Sequence, residues 1–449
     1  MAKTESLTLG LLQDAVKGTA AAFRRKARLQ PAGGQGTKVF PPTYAGAVYA
    51  TERRRLPGRA EPIECVLLDS VQSQANRMEE ALQYAVDTER LKIPVIEVDF
   101  TRYFPGDNLR EDMRLLDPVG KISSLQAPHR IADAILRDSV LDDTPFRDSE
   151  VGKSISMVSA RDATALFGSC PTALIFGMWD STGPKGGLGA KFERAMVAEI
   201  VGIDAVYGIR TASRVDPVIR KNPTLYETPG GDWTALEQEA ARDKKDPKKY
   251  GRKLSELNLG NVTPDLARYS AKSLTKENRE TLDPMRDDGA FISPGRVSPG
   301  GVTIAFAEQT VVLSLPALRR LRFPLPGQLW EPSAGQRARD VAGRTVLAML
   351  GLCAASLADE SGLDLRSRCL LWPETEPIWT LLDRNRGGDF SVPGDVAIEL
   401  LRQAVEEATG VGLPWCTKPV VLTPSEKLVK LVVKSQQLAA HGSDGGEGN

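Results

Sequence analysis

AAFRRKARLQPAGG, Ala21–Gly34, is the stretch whose reading settles the fold class. Period two places Phe23, Ala27 and Leu29 on one side and Arg24, Lys26 and Arg28 on the other, with Arg25 the one cation on the apolar side. A helix continuing from Leu7 is the rival, favoured by Ala20, Ala21 and Ala22. The turn signal PAGGQG that follows decides for a strand with a cationic face.

Outward from there, LTLGLLQDAVKG predicts a short helix before the strand, and IECVLLD (Ile63–Asp69) a buried strand after it. SVQSQANRMEEALQYAV then reads as a helix with Val71, Ala75, Met78 and Leu82 inward. KIPVIEVDF and CPTALIFGMW are expected to be strands, and the segment after GMWDSTGPKGGLG a helix with Leu188, Phe192, Met196 and Ile200 along one side. VTIAFAEQTVVLSL is a long strand or hairpin leading into the basic LRRLRF, with a buried helix at Val341–Ala358, a strand at Arg368–Trp372 and an amphipathic helix at Asp395–Ala408. PVVLTP and LVKLVVK close the chain as strands.

Strands separated by single helices, without strict alternation, predict an α+β fold with a split βαβ, ferredoxin-like core carrying large insertions. Residues 1–213 form its first part, 214–300, rich in Pro, Gly and charge, an inserted lobe, and 301–440 its second part, before a tail at 441–449 too polar to pack.

Composition narrows the chemistry. The 449 residues hold two histidines, one of them, His441, in the tail. A single usable imidazole, His129, removes most acid–base, nucleophilic and metal chemistry built on histidine. The five cysteines are scattered, with no CxxC pair, so neither zinc nor a disulfide framework is expected, and no cofactor. LAMLGLCAASLA, Leu347–Ala358, is too short a run to span a bilayer, and with no leader-like start the expected place is the cytoplasm. The formal net charge is zero, yet residues 1–60 carry eleven Lys and Arg against three acids, so one face can be basic in a neutral protein.

The pattern of clusters points to a phosphate track. In STGPKGGLGAKFERA, Gly183, Gly186, Gly187 and Gly189 crowd a loop where backbone N–H groups can approach an anion, with Lys185 and Lys191 beside it. The loop lacks the Walker order, and Gly152–Lys153–Ser154 has Arg147 where the first glycine belongs; an ordinary glycine turn is the alternative. On the helix after Asp69, Gln72, Ser73, Gln74, Asn76 and Arg77 are read as outward groups able to meet sugar hydroxyls and phosphates, or else as a solvated face capped by Ser70. The basic strand (Arg24, Arg25, Lys26, Arg28) and the cluster Arg53, Arg54 and Arg55 suit salt-sensitive phosphate contacts. His129 and Arg130, which open a further helix, are RNA-contact candidates as well, with capping or core packing the plainer role for His129. The acid pairs Asp142/Asp143 and Asp287/Asp288 offer the rival reading of a Mg²⁺-dependent ribonuclease, against which stands their turn-like setting among Pro, Thr and Gly. A mononucleotide-binding enzyme using the glycine loop is a third.

KVFPPTYAG, ECVLLDSVQSQANRMEEAL, SLQAPHRIADAILRDS, FGMWDSTGPKGGLGAKFERAMVAEIVG and AEQTVVLSLPALRRLRFP together closely resemble the backbone subunit of type I-G (formerly I-U) CRISPR effectors. The resemblance implies a Cas-seven type protein of the repeat-associated mysterious protein superfamily, with a modified RNA-recognition palm and inserted thumb and finger lobes. It implies a non-catalytic subunit that binds CRISPR guide RNA. Copies stack into a filament along it, and target DNA is met through the guide. It also implies co-subunits: a fused repeat-processing and cap protein, a large subunit and a recruited helicase-nuclease. Which residues touch RNA is read from the clusters above and not from the family.

Overall fold

The structure, a computed structural model, describes residues 4–44, 48–183, 190–209, 211–214, 226–242, 262–266 and 299–440. In chain order its principal elements are α1 (Leu9–Lys17), β1 (Ala22–Pro31), β2 (Thr51–Arg54), β3 (Ile63–Asp69), α2 (Val71–Asp87), β4 (Met196–Ile203), β5 (Phe306–Ser314), α3 (Ala334–Glu360), β6 (Leu370–Pro373), β7 (Ile378–Leu382), β8 (Gly388–Ser391) and α4 (Gly394–Gly410).

One sheet holds the molecule together. Its strands run Glu5–Ser6, β8, β7, β1, β5, β4, β3, β2, and β6 pairs with the far end of β1 beside β7. β7, β1, β5 and β4 are antiparallel to each neighbour. Taken in chain order as first (β1), second (β4), third (β5) and fourth (β7), they lie 4-1-3-2, with α2 between first and second and α3 between third and fourth. That is the split βαβ order of an α+β fold. The connection between β4 and β5, adjacent and antiparallel, contains the whole of 214–300; of this lobe, 215–225, 243–261 and 267–298 lie outside the described residues, as does the tail 441–449.

Alternation along β1 sorts its side chains as the sequence predicts. Phe23, Arg25, Ala27 and Leu29 are buried and Arg24, Lys26 and Arg28 exposed. Phe23 joins the core formed with α1, α2, α3 and α4, while Ala27 and Leu29 join a second cluster on the same face with Val66, Leu68 and Ile200. Full burial of a Phe or Leu contributes about 1.5–3 kcal/mol, so this face fixes the strand's register.

α3 is the central helix, long and apolar enough to cross a membrane by length and composition, with 78% of its apolar window buried inside the protein. Its neighbours come close because it carries small residues: a Cβ on Gly343 would stand 2.8 Å from the Phe323 ring. Asp340 on its first turns accepts from the Phe323 backbone N–H at 2.9 Å and the Trp330 indole at 3.0 Å.

Three expected elements differ. CPTALIFGMW supplies a short helix, Thr172–Phe176, before a two-residue strand, Met178–Trp179. A short run of consecutive buried residues carries no period, so helix and strand fit it equally. LVKLVVK lies in a helix, Glu426–Ala440, that buries Leu428, Val429 and Val433 and leaves Leu431 exposed. The segment after the glycine loop is strand: Lys191–Phe192 pairs with Met178–Trp179, and β4 follows. Phe192, Met196 and Ile200 are four apart, a spacing that satisfies period two as well as 3.6. The last of the expected set, Leu188, lies outside the described residues.

Candidate nucleic-acid interface

The helices cover one face of the sheet. On the other, Arg24, Lys26 and Arg28 stand in a row with half-exposed neighbours from both flanking strands. Arg24 lies between Val312 and Thr380, Lys26 opposite Thr310, and Arg28 opposite Glu308. Lys26 Nζ is 2.8 Å from Glu308, Arg28 Nε 2.9 Å from Glu374, and the Arg28 guanidinium 4.1 Å from the centre of the Phe306 ring. Arg24 makes no ion pair among the described residues.

About half of each cation and a third of each acid side chain is open to solvent, which limits each pair to about 0.2–1 kcal/mol. A phosphate can therefore displace Glu308 or Glu374 at small cost. A break in the edge strand between β6 and β7 opens a cavity of 480 Å³ beside Lys26, lined also by Thr375, Glu376 and Ile378. Past Arg28 the same face continues through Gln30, whose register partner on β6 is Trp372. Arg54 reaches this face as well: it pairs with Glu52 and, at 2.9 Å, with Glu199 on β4. Arg53 and Arg55 are exposed at the far edge, Arg53 donating to the Pro62 carbonyl at 2.9 Å.

Four residues expected on an RNA surface are already paired, three of them buried and Arg77 half-buried. Arg25 is 1% exposed; its guanidinium pairs with Asp359 at the end of α3, donates to Gln309 at 3.2 Å and lies 5.2 Å from the Trp379 ring centre. Gln309 donates to Gln74 at 2.8 Å, Gln74 to Asp69 at 2.6 Å, and Arg77 to the same Asp69 oxygen at 2.9 Å. Gln74 and Arg77 are thus spent in a polar chain beneath the sheet, because buried polar groups must find partners. Burial raises the Asp359 carboxyl above its usual range although Arg25 pulls it down.

Arg130 is the fourth. It donates to Glu79 at 2.7 and 2.6 Å and to the Gly177 carbonyl at 3.2 Å, with both side chains buried. His129 is exposed and heads a 3-10 turn, its backbone N–H donating to Asp133 at 3.1 Å. Gln72 and Asn76 are exposed and Ser73 half-buried, but α2 packs on the covered face, so these three do not join the cationic row.

Of the glycine loop, Lys185, Gly186, Gly187 and Gly189 lie outside the described residues. Among the described residues after the loop the chain continues as strand and not as the expected helix, so no helix-end dipole supports an anion from that side. At its start Arg147 donates to Asp180 at 2.8 Å and to the Thr182 carbonyl at 2.5 Å, and at its end Lys191 stands 5.7 Å from the Trp179 ring centre. Gly152, in the segment that only partly resembled a P-loop, is required by packing: a Cβ there would lie 1.8 Å from the Phe146 carbonyl oxygen.

Asp142 and Asp143 are the two central residues of a hairpin turn, both at positive φ, 47° and 63°. This is the backbone of a type I′ turn, which Asp tolerates. Asp287 and Asp288 lie outside the described residues, and among those described no three His, Cys, Asp or Glu gather as a metal set. A larger cavity, 940 Å³, opens on the helix side between α1, α3 and α4, but its Arg344 is held by the Leu321 carbonyl at 2.7 Å and by Asp340 at 3.3 Å.

Residues 23–207, which contain β1 to β4, match the model of a family described as CRISPR-associated protein GSU0053, of the Cas-seven type. Comparison with curated proteins gives no match.

Proposed function

We propose that this CRISPR-associated subunit is the guide-RNA-binding backbone of a type I-G effector complex, holding the RNA without transforming it. The observation that carries the reading is the exposed row Arg24, Lys26 and Arg28 on the face the helices leave open. Cations about 7 Å apart along an extended strand contact phosphates and ignore base identity. Such contacts position a strand, while pairing with target DNA supplies the sequence information.

Copies of the chain line up head to tail along one guide, a heterologous contact that does not close on itself. A fused repeat-processing and cap protein, a large subunit and a helicase-nuclease complete the system, which works in the cytoplasm. Purification of the tagged full chain from its host tests this: RNA of guide length and those subunits are expected to come with it. Recovery of the chain with no RNA, or with mononucleotides alone, would overturn the reading.

A further inference from the structure

Trp372 is the most exposed of the six tryptophans, 70% accessible. Of the other five, Trp379 is buried, Trp330 donates to Asp340, Trp415 packs on Phe167, Trp179 carries Lys191 above its ring, and Trp233 is 42% exposed. The Trp372 indole has no hydrogen bond or ring contact among the described residues. A bare indole offers a wide apolar face on which another ring can stack.

Trp372 is the register partner of Gln30 on β1, so its side chain lies on the open face, two residues beyond Arg28. Glu374 joins the two positions, accepting from Gln30 at 2.7 Å and pairing with Arg28 at 2.9 Å. Arg24 at one end and Trp372 at the other are about 20 Å apart along the strand. A track of cations that ends on a bare indole is the combination by which proteins hold single strands, charges on the backbone and an aromatic face under a base.

We propose that Trp372 is a base-stacking platform at the end of the cationic row, holding one unpaired nucleotide of the bound RNA without selecting its identity. This rests on the guide-RNA reading above. Stacking releases no counterions, so Trp372 adds affinity that salt does not remove, in contrast to Arg24, Lys26 and Arg28.

The test is a salt titration of the full chain against a labelled single-stranded RNA of mixed sequence, comparing Trp372→Ala, Trp372→Phe and Arg24→Ala/Lys26→Ala/Arg28→Ala. Trp372→Ala is expected to bind about 5- to 100-fold more weakly with an unchanged salt slope, and Trp372→Phe to recover most of the loss. The triple variant is expected to flatten the slope. If the triple variant flattens the slope while Trp372→Ala binds as the parent does, the platform is wrong and the RNA reading stands. If neither variant changes RNA binding, both fall. If Trp372→Ala instead abolishes self-association without RNA and leaves affinity for RNA intact, the indole is a protein contact and the proposal is overturned.

Discussion

Replacing Arg130 with methionine is expected to lower stability by about 3–5 kcal/mol, and by more at pH 9 than at pH 6. The guanidinium and the Glu79 carboxylate are 8% and 2% exposed and share two hydrogen bonds. Removing the cation leaves a buried carboxyl whose charge is favoured only by the Thr172 hydrogen bond and the weaker pull of Arg194. Burial already pushes Glu79 up to about 7 against the pull of Arg130.

The sign follows from that shift. Above its ordinary value near 4.5, the unfolded chain loses a proton that the folded protein keeps, so stability falls as pH climbs toward the folded value. With Arg130 present the fall ends near 7. Without it the folded carboxyl sits higher, and the fall continues by about 1.4 kcal/mol per pH unit. Thermal melts of parent and variant across that range measure the divergence. A second variant, Arg130→Met with Glu79→Leu, is expected to regain most of the loss, since apolar replacements of a buried pair are often tolerated. Equal melting of parent and Arg130→Met at pH 9 would show that the pair is not buried as described.

Removing the three exposed cations of β1 is expected to act on RNA and not on the fold. Arg24→Ala, Lys26→Ala and Arg28→Ala together delete up to three phosphate contacts. Each contact to a single strand contributes about 0.7 to the slope of log affinity on log salt, so the slope is expected to fall by about 2 and affinity by roughly 10- to 100-fold. The alanines also free Glu308 and Glu374 to repel phosphate. Arg25→Met provides the contrast: it breaks the buried pair with Asp359, lowers the melting temperature and leaves the salt slope as it was. An unchanged slope in the triple variant would place the RNA elsewhere.

What the sequence revealed of this face was its period. Alternation in AFRRKARLQP places Arg24, Lys26 and Arg28 together and Arg25 on the apolar side, because a strand's side chains can point only two ways, yet Arg25 still reads as a phosphate contact by its charge. What it concealed was long-range pairing. Asp359 lies 334 residues from Arg25 and Glu79 lies 51 from Arg130, and nothing local distinguishes an arginine with a buried carboxylate from one facing solvent. Gln74 was lost for the same reason, its partner Gln309 coming from the other half of the chain. The helix expected at Phe192–Ile200 failed because a spacing of four fits either period, and only the antiparallel pairing of Met196–Ile203 with both β3 and β5 separates them. The 4-1-3-2 strand order was legible only as a class, since sequence order carries no information on which strands become neighbours. Inside RCLLWPE, alternation marks Trp372 as outward but not as bare.

The central claim is that many copies of this chain share one RNA through backbone contacts. Its most direct test is the mass of the purified full chain on single-stranded RNAs of increasing length, at low and at high salt. The account predicts that the number of copies rises stepwise with RNA length and that the assemblies come apart as salt is raised. A single copy per RNA at every length, or binding indifferent to salt, would contradict it.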